Sequence, residues 1–185
     1  MGRFDLDQFL EDVVAANTEE RAASAVKEVV ERAVSDPAAI EAALGHPSES
    51  ALFTTLHNTD DLTVLHIVWP PDVDLFAHDH KMWAVIGLYG GREDNSFYRP
   101  SDDGWITPAG GKSLLAQDTV MLGSETVHSV ANPSREWTGA FHVYGGDFFT
   151  ADRTMWRADT LEAVPFDVRF TESVLERAAA AARAQ

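Results

Sequence analysis

The sequence predicts a mainly β protein, a closed sandwich or barrel of short strands with helices at both ends of the chain. From residue 51 onward, apolar residues recur with a period of two in short runs that turn residues separate, the pattern of small sandwiches and barrels. Residues 1–45 and 171–185 follow the helical period instead. With 185 residues, 45% of them hydrophobic, the chain can form one packed domain over residues 1–185.

The composition argues against several classes of function. A net charge of -16 disfavours nucleic acid and anionic membranes as partners. The absence of cysteine rules out disulfides, cysteine-bound zinc and a thiol nucleophile, and fits a reducing cytoplasm. The first seven residues turn acidic at once and no apolar run approaches about 18 residues, so we expect neither a secretory signal nor a membrane span. These features predict a cytoplasmic monomer or homodimer that acts on a small molecule.

Three helices are predicted in residues 1–45. The first is indicated by apolar residues at helical spacing: Leu6, Phe9, Leu10, Val13 and Val14. Asn17 and Glu20 resemble a capping box that opens a second helix, which runs to about residue 34. Ser35-Asp36-Pro37 restarts a short third helix, which Gly45 can end.

The remaining chain predicts strands and one final helix. The predicted strands are 51–57, 62–69, a short stretch leading to residue 78, 82–89, 92–99, 105–107, 112–115, 118–122, 125–131 and 137–144. Gly90-Gly91 predicts a tight turn that pairs 82–89 with 92–99 as a hairpin. His66 lies among apolar residues and is predicted to be a hydrogen-bonded core histidine, whereas His57 and His46 have no partner at ligand spacing. The alanine-rich residues 171–185 predict a C-terminal helix.

The stretch His78-Asp79-His80 predicts a metal site. Side chains alternate along a strand, so His78 and His80 share one face. His128, on another predicted strand, can supply the third ligand of a neutral facial triad. Imidazole suits Fe, Zn, Ni and Cu, so the ligand type alone does not name the metal. The alternative is that three of the seven histidines fall in strands by chance and satisfy hydrogen bonds.

A second pair of polar residues lies on the strand 139–144. His142 and Tyr144 share a face with Ala140. An imidazole beside a phenol can orient its hydroxyl, which can then hydrogen-bond a species bound at the metal. The alternative is that the two side chains are buried and satisfy each other.

Four stretches carry a resemblance to a known family. They are Phe-Ala-His-Asp-His at 76–80, Tyr-Gly-Gly-Arg-Glu-Asp at 89–94, Val-His-Ser-Val-Ala-Asn at 127–132 and Phe-His-Val-Tyr-Gly-Gly-Asp at 141–147. Together they resemble the cysteine dioxygenase family of cupins, and most of all its bacterial branch. That branch includes mercaptopropionate dioxygenase and many uncharacterised metal-dependent double-stranded β-helix proteins. The resemblance covers roughly residues 50–157 and implies a cupin jelly-roll barrel in which His78, His80 and His128 bind Fe(II).

The family pattern is kept only in part. The resemblance implies a Ser-x-His-x-Tyr motif near the iron, of which His142 and Tyr144 are present while Ala140 replaces the serine. Val85 stands where the mammalian enzymes carry a cysteine cross-linked to the tyrosine, which bacterial members also lack.

The substrate-binding arginine is also a departure. The early strand that carries this arginine in the mammalian branch has none here. Arg153, nine residues after Tyr144, resembles the arginine of the bacterial branch, and its planar fork suits a carboxylate. The alternative is a surface charge near Asp152.

No acidic metal ligand is expected. Metal-binding cupins usually have a glutamate about four residues after the second histidine, where this chain has Ala84. Glu93 is the nearest downstream acid, but in the predicted hairpin it lies more than about 20 Å from His80 along the sheet. We therefore predict that Glu93 is a hairpin charge beside Arg92 rather than a ligand.

The function implied by the resemblance is a mononuclear non-haem Fe(II) dioxygenase. It would use O2 to oxidise a small thiol, such as a thiol carboxylate, to a sulfinate. Tyr144 and His142 would be catalytic, and Arg153 would bind the substrate. Two alternatives keep the barrel: a three-histidine cupin of other chemistry, such as a β-diketone dioxygenase or a Zn, Mn or Ni lyase or isomerase, and a small-molecule-binding cupin without turnover.

Overall fold

The computed structural model describes residues 3–184, so Met1, Gly2 and Gln185, at the ends of the predicted domain and C-terminal helix, lie outside the described residues. The helices are α1 (Leu6–Asn17), α2 (Ala22–Val34), α3 (Pro37–Leu44) and α4 (Val168–Arg183). The first strands are β1 (Phe53–Asn58), β2 (Thr63–Trp69), β3 (Asp74–Asp79), β4 (Ala84–Gly90), β5 (Arg92–Pro100) and β6 (Ile106–Leu115). The later ones are β7 (Thr119–Leu122), β8 (Val127–Ala131), β9 (Thr138–Tyr144), β10 (Thr154–Trp156) and β11 (Ala163–Pro165).

The strands form two antiparallel sheets. One has five strands in the order β1-β2-β9-β4-β7, and the other has six in the order β11-β10-β3-β8-β5-β6. Apolar side chains from both sheets, such as Leu65, Ile86 and Val130, meet in one buried cluster, which is the interior of the barrel. The chain therefore has the cupin fold, a double-stranded β-helix, and the predicted fold class is confirmed.

The N-terminal helices cover the outer face of the five-stranded sheet. Val13 of α1 and Val30 of α2 pack in a second buried cluster with Val64 and Phe141. His66 faces this cluster, and its Nε2 lies 2.7 Å from the Tyr89 hydroxyl. The prediction of a hydrogen-bonded core histidine is therefore confirmed.

One of the predicted helix starts is wrong. Asn17 ends α1 instead of capping α2, and its amide donates to the Asp61 carbonyl at 3.4 Å. The N-cap of α2 is Arg21, which makes no side-chain capping bond. The predicted restart of the helix at Ser35-Asp36-Pro37 is confirmed, and of the two candidate caps it is Asp36 that accepts from the amide of Ala39 at 3.2 Å.

The predicted hairpin between residues 82–89 and 92–99 is also wrong. β4 pairs with β7 and β9, whereas β5 pairs with β6 and β8 in the opposite sheet. The chain crosses between the sheets at Gly91, which has a φ of 71°. A Cβ on Gly91 would lie 2.2 Å from Oγ1 of Thr138, so the crossing needs glycine. As a consequence, Glu93 lies on the sheet that carries His78 and His128.

Three further boundaries differ from the predictions. β6 is one continuous strand, because Pro108 lies on a sheet edge, where no ladder hydrogen bond is lost. The strands β10 and β11 were not predicted, and each has only three residues. Helix α4 begins at Val168, three residues earlier than predicted, with Asp167 as its cap. In the described part of the chain, no helix is long and apolar enough to cross a membrane.

Candidate metal centre

The three predicted histidines meet inside the barrel. His78 lies on β3 directly opposite His128 on β8, and His80 follows the end of β3. All three are buried, and each offers a nitrogen within 4.8 Å of the others'. Nε2 of His80 and Nε2 of His128 are 3.5 Å apart. His78 and His80 thus face the same side and meet His128, as the alternation of side chains along the strand predicted.

The hydrogen bonds of two rings free the nitrogens that face the centre. Nδ1 of His78 donates to the Phe76 carbonyl at 3.1 Å, and Nδ1 of His128 donates to Oδ1 of Asn95 at 2.7 Å. A neutral imidazole has one N–H, so Nε2 of both rings keeps its lone pair. Nδ1 of His80 has no hydrogen-bond partner among residues 3–184. A metal-binding imidazole commonly donates the N–H of its second nitrogen to a protein group, as His78 and His128 do here.

The spacing of the three rings fits one divalent metal. Two nitrogens about 2.1 Å from a common metal are about 3.0–3.4 Å apart at bond angles of 90–109°. The 3.5 Å between His80 and His128 is close to this range. The hydrogen bonds of His78 and His128 leave lone pairs on their buried Nε2 atoms, which a bound cation would satisfy. The donor set therefore fits a metal, and imidazole alone does not select which one.

Burial keeps these histidines neutral. It lowers the pKa of His78 to about 4 and holds the pKa of His80 and His128 well below the usual value. Neighbouring histidines lower the last two further. Burial also lowers the pKa of His66 to about 4. At neutral pH protons therefore compete little with a metal for the nitrogens of the three facing rings.

The metal-free protein is expected to lose stability between pH 6.5 and 4. Unfolded histidines bind protons below their ordinary pKa of about 6.5, while the folded rings do not, so unfolding is favoured as pH falls. His66 and His78, each with a folded pKa of about 4, should each cost about 2 kcal/mol at pH 5. Urea unfolding with a chelator at pH 7.5 and 5.0 measures this loss.

A matched variant tests the assignment of this loss to the histidines. In His66→Phe the difference between the two pH values should shrink by about 2 kcal/mol. An equal free energy of unfolding at pH 7.5 and 5.0 in the wild-type protein would contradict the prediction.

The second predicted pair lies beside the histidines. Nδ1 of His142 is 3.2 Å from the Tyr144 hydroxyl. The ring of Tyr144 lies 4.9 Å from that of His80, centroid to centroid. Burial raises the pKa of the Tyr144 hydroxyl, and Glu93 raises it further while Arg153 opposes. The hydroxyl therefore keeps its proton at neutral pH.

Arg153 lies in the segment between β9 and β10 and stacks against Phe148 and Phe166, two rings that line a cavity with the three histidines. Its side chain is only 4% exposed, so the alternative of a surface charge near Asp152 is wrong. The guanidinium carbon lies 3.9 Å from the ring centroids of both Phe148 and Phe166. Burial lowers its pKa to about 10, which leaves it charged at neutral pH. Nε and Nη1 have no hydrogen-bond partner among residues 3–184, so two donors are available for an anion.

Sequence reasoning missed a buried carboxylate in this region. Glu93 is fully buried and accepts from Nδ2 of Asn95 at 2.9 Å and from Nε1 of Trp69 at 2.7 Å. Its Oε2 is 3.5 Å from Nε2 of His142. The prediction that Glu93 is not a metal ligand agrees with the group of facing ligand atoms, which contains only the three histidines. The prediction that it is a hairpin charge beside Arg92 is wrong. The signal was the alternation of Glu93 and Asn95 on one face of β5.

The cavity at the histidines is small and covered. Its volume is about 30 Å³, enough for about two water molecules. Its walls include the three histidines and the aromatic rings of Trp69, Tyr144 and Phe148. Phe166 and two residues of α4, Thr171 and Leu175, also line it, so the first half of α4 forms part of the cavity wall.

The fold and this cluster define a cupin with a three-histidine group that can hold a metal. No protein-family model matches the chain. Among solved structures, it is similar to a protein from Bacillus halodurans, with a TM-score of 0.46, 15% identity, and coverage of 52% of this chain and 70% of that one. It is also similar to an uncharacterised conserved protein with a double-stranded β-helix domain from Klebsiella pneumoniae, with a TM-score of 0.41, 18% identity, and coverage of 56% and 81%.

Oxalate decarboxylase from Bacillus subtilis is a further similar structure. The TM-score is 0.40 at 15% identity, over 49% of this chain and 22% of the decarboxylase. The chain thus spans about a fifth of the decarboxylase. At such identities and TM-scores these similarities carry no argument about the reaction, which must come from the site itself.

Proposed function

We propose that this protein is a mononuclear non-haem Fe(II) dioxygenase of the thiol dioxygenase type, which oxidises a small thiol carboxylate to a sulfinate. The observation that carries the proposal is the buried guanidinium of Arg153. It has two partner-free donors and stacks on Phe148 and Phe166, two rings that line the cavity of the three histidines. A metal at these histidines and the guanidinium would together offer two positively charged groups to one ligand. A ligand with two anionic ends, a thiolate and a carboxylate, matches this arrangement.

Iron(II) at His78, His80 and His128 would supply sites for a thiolate and O2 and the means of passing both oxygen atoms to sulfur. The overall reaction is balanced without a further reductant, since a thiol and O2 together give a sulfinic acid. Because all three ligands are neutral, the charge of the metal is not offset by the protein. This favours an anionic ligand.

The protein's own residues bind and orient the substrate. Arg153 holds the carboxylate, and the rings of Phe148 and Phe166 keep its fork in place and exclude water from it. The Tyr144 hydroxyl keeps its proton and lies 3.2 Å from Nδ1 of His142, and it turns its hydrogen from that nitrogen to the reacting end of the substrate. The apolar walls restrict the site to a short ligand. Since about 30 Å³ is smaller than such a ligand, the cavity must widen on binding.

Oxygen consumption tests the proposal directly. The protein is purified without oxygen, its metal content is measured, and it is supplied with Fe(II) and with 3-mercaptopropionate, cysteine or acetylacetone. Oxygen uptake that requires both iron and a thiol, with a sulfinate as product, is the expected result. Uptake with acetylacetone alone would indicate a β-diketone dioxygenase instead. No uptake, with zinc, nickel or manganese tightly bound, would replace the proposal with a lyase, an isomerase or a binding protein.

Tyr144→Phe should lower turnover by about 100-fold while the metal content stays near that of the wild type. The substitution removes a hydroxyl that touches the substrate, and a positioned proton donor or acceptor contributes 10²–10⁴-fold. Steady-state oxygen uptake and elemental analysis of the same preparation measure both effects. Tyr98→Phe is the matched control. The Tyr98 hydroxyl lies 3.2 Å from Oγ of Ser129, and Tyr98 does not line the cavity. Unchanged turnover in Tyr144→Phe would remove the residue from the reaction.

A further inference from the structure

A buried polar network lies behind the metal centre, and the proposed reaction does not use it. Its centre is Glu93, which has no exposed surface. Oε1 accepts from Nδ2 of Asn95 at 2.9 Å, and Oε2 accepts from Nε1 of Trp69 at 2.7 Å. Both donors are neutral, so a carboxylate here gives up its hydration for two bonds. Burying a carboxylate in a barrel interior costs free energy, so its presence there indicates a functional role.

We propose that Glu93 is a positioning residue that acts on the metal ligand His128 through the amide of Asn95. Its second oxygen faces Nε2 of His142 and acts on that ring directly. This inference rests on the metal centre of the proposed function but does not depend on the substrate or the reaction.

The first step is the orientation of the Asn95 amide. An ionised carboxylate only accepts hydrogen bonds, whereas an amide side chain has a donor end and an acceptor end. Glu93 therefore fixes the NH2 end of Asn95 towards itself. The carbonyl end, Oδ1, is left facing His128, 2.7 Å from its Nδ1.

The second step is the tautomer of His128. Because Oδ1 of Asn95 only accepts, the ring must carry its hydrogen on Nδ1. Nε2 is then free, and this is the atom that lies 3.5 Å from Nε2 of His80. If the amide were reversed, its NH2 group would face Nδ1 and the hydrogen would move to Nε2. A ring in that tautomer cannot bind a metal through Nε2.

The third step concerns the other side of the carboxylate. Oε2 of Glu93 lies 3.5 Å from Nε2 of His142, an atom with no hydrogen-bond partner in the described chain. A carboxylate at this place favours a hydrogen on Nε2. Nδ1 of His142 is then available to the Tyr144 hydroxyl, 3.2 Å away. One carboxylate thus fixes the tautomers of two rings, that of His128 through Asn95 and that of His142 directly.

Glu93→Gln tests the first two steps without a change in side-chain size. If Oε1 of the glutamine accepts from Trp69, its NH2 group faces the NH2 group of Asn95, and the Asn95 amide must reverse. The affinity for Co²⁺, followed by visible absorption and zinc competition, should fall about 10–100-fold, as for other outer partners of metal ligands. Asp94→Asn is the matched control, because Asp94 is on the opposite face of β5 and bonds Arg92. It should bind Co²⁺ like the wild type.

A double substitution, Glu93→Gln with Asn95→Asp, separates positioning from mere packing. The amide and the carboxylate then exchange places. The glutamine NH2 group donates to the new carboxylate, and that carboxylate accepts from Nδ1 of His128. The bond between positions 93 and 95 now runs the other way, but the charge of the pair and the acceptor facing Nδ1 of His128 are restored, so Co²⁺ affinity should return to within a few-fold of the wild-type value. A role in packing alone predicts that the double variant binds no better than Glu93→Gln.

A measurement on the unaltered protein keeps the inference testable if a variant does not fold. The ¹⁵N shifts of the imidazoles in the metal-free wild type distinguish protonated from bare ring nitrogens. His128 should carry its hydrogen on Nδ1, and the opposite tautomer would overturn the inference, as would Co²⁺ affinity unchanged by Glu93→Gln. A wild-type protein that binds no metal would overturn the metal centre itself. Normal metal binding without thiol oxidation would refute only the proposed reaction.

Discussion

His128→Ala is expected to abolish metal loading and with it all metal-dependent activity. The substitution removes one of three ligand nitrogens that lie within 4.8 Å of each other. Loss of an outer partner of a ligand typically costs 10–100-fold in affinity, so loss of the ligand itself should cost more than about 100-fold. Elemental analysis after dialysis against equimolar Fe(II) measures the loading. A variant that still holds one metal per chain would remove His128 from the site.

The matched control for this variant is His66→Ala. Both histidines are buried, and each makes one side-chain hydrogen bond of 2.7 Å, His66 to Tyr89 and His128 to Asn95. Both substitutions leave a cavity and an unsatisfied partner, which together cost about 2–4 kcal/mol of stability. Only His128 faces the other two rings. Similar losses of stability with metal loading lost only in His128→Ala would separate ligation from folding.

The three ligands and the His142–Tyr144 pair could be predicted from the sequence because they depend on one local rule. Along a strand the side chains alternate, so spacing alone places His78 beside His80 and His142 beside Tyr144. The pairing of His78 with His128 needed only that their strands be neighbours, as they are.

Glu93 shows where this rule ends. Its distance from the metal centre depends on which strand pairs with β5, and Gly90-Gly91 is equally compatible with a hairpin and with a crossing to the other sheet. The choice is made by contacts distant in sequence, such as the packing of Gly91 against Thr138. The apolar face of α4 presents the same difficulty. Its periodicity shows that a face is buried but not that Thr171 and Leu175 line the cavity of the three histidines.

Arg153→Met should have two opposite effects, a more stable protein and a much weaker affinity for carboxylate substrates. The side chain is buried with two donors unsatisfied, and methionine can fill its place between Phe148 and Phe166. The gain from removing a buried charge exceeds the lost contacts with the two rings, so stability should rise by about 1–2 kcal/mol. Unfolding of the metal-free protein in urea measures this gain.

The loss of function should be selective. A buried, charge-assisted contact is worth about 2–5 kcal/mol, so KM for 3-mercaptopropionate should rise by about 30-fold or more. KM for 2-mercaptoethanol, which has no carboxylate, should change little. Arg157→Met is the control, because Arg157 is exposed and lies 3.9 Å from Glu162; neither stability nor KM should change there. Equal changes in KM for the two thiols would show that Arg153 does not bind the carboxylate. A gain in stability together with a loss of carboxylate binding is the signature of a charge kept buried for its ligand.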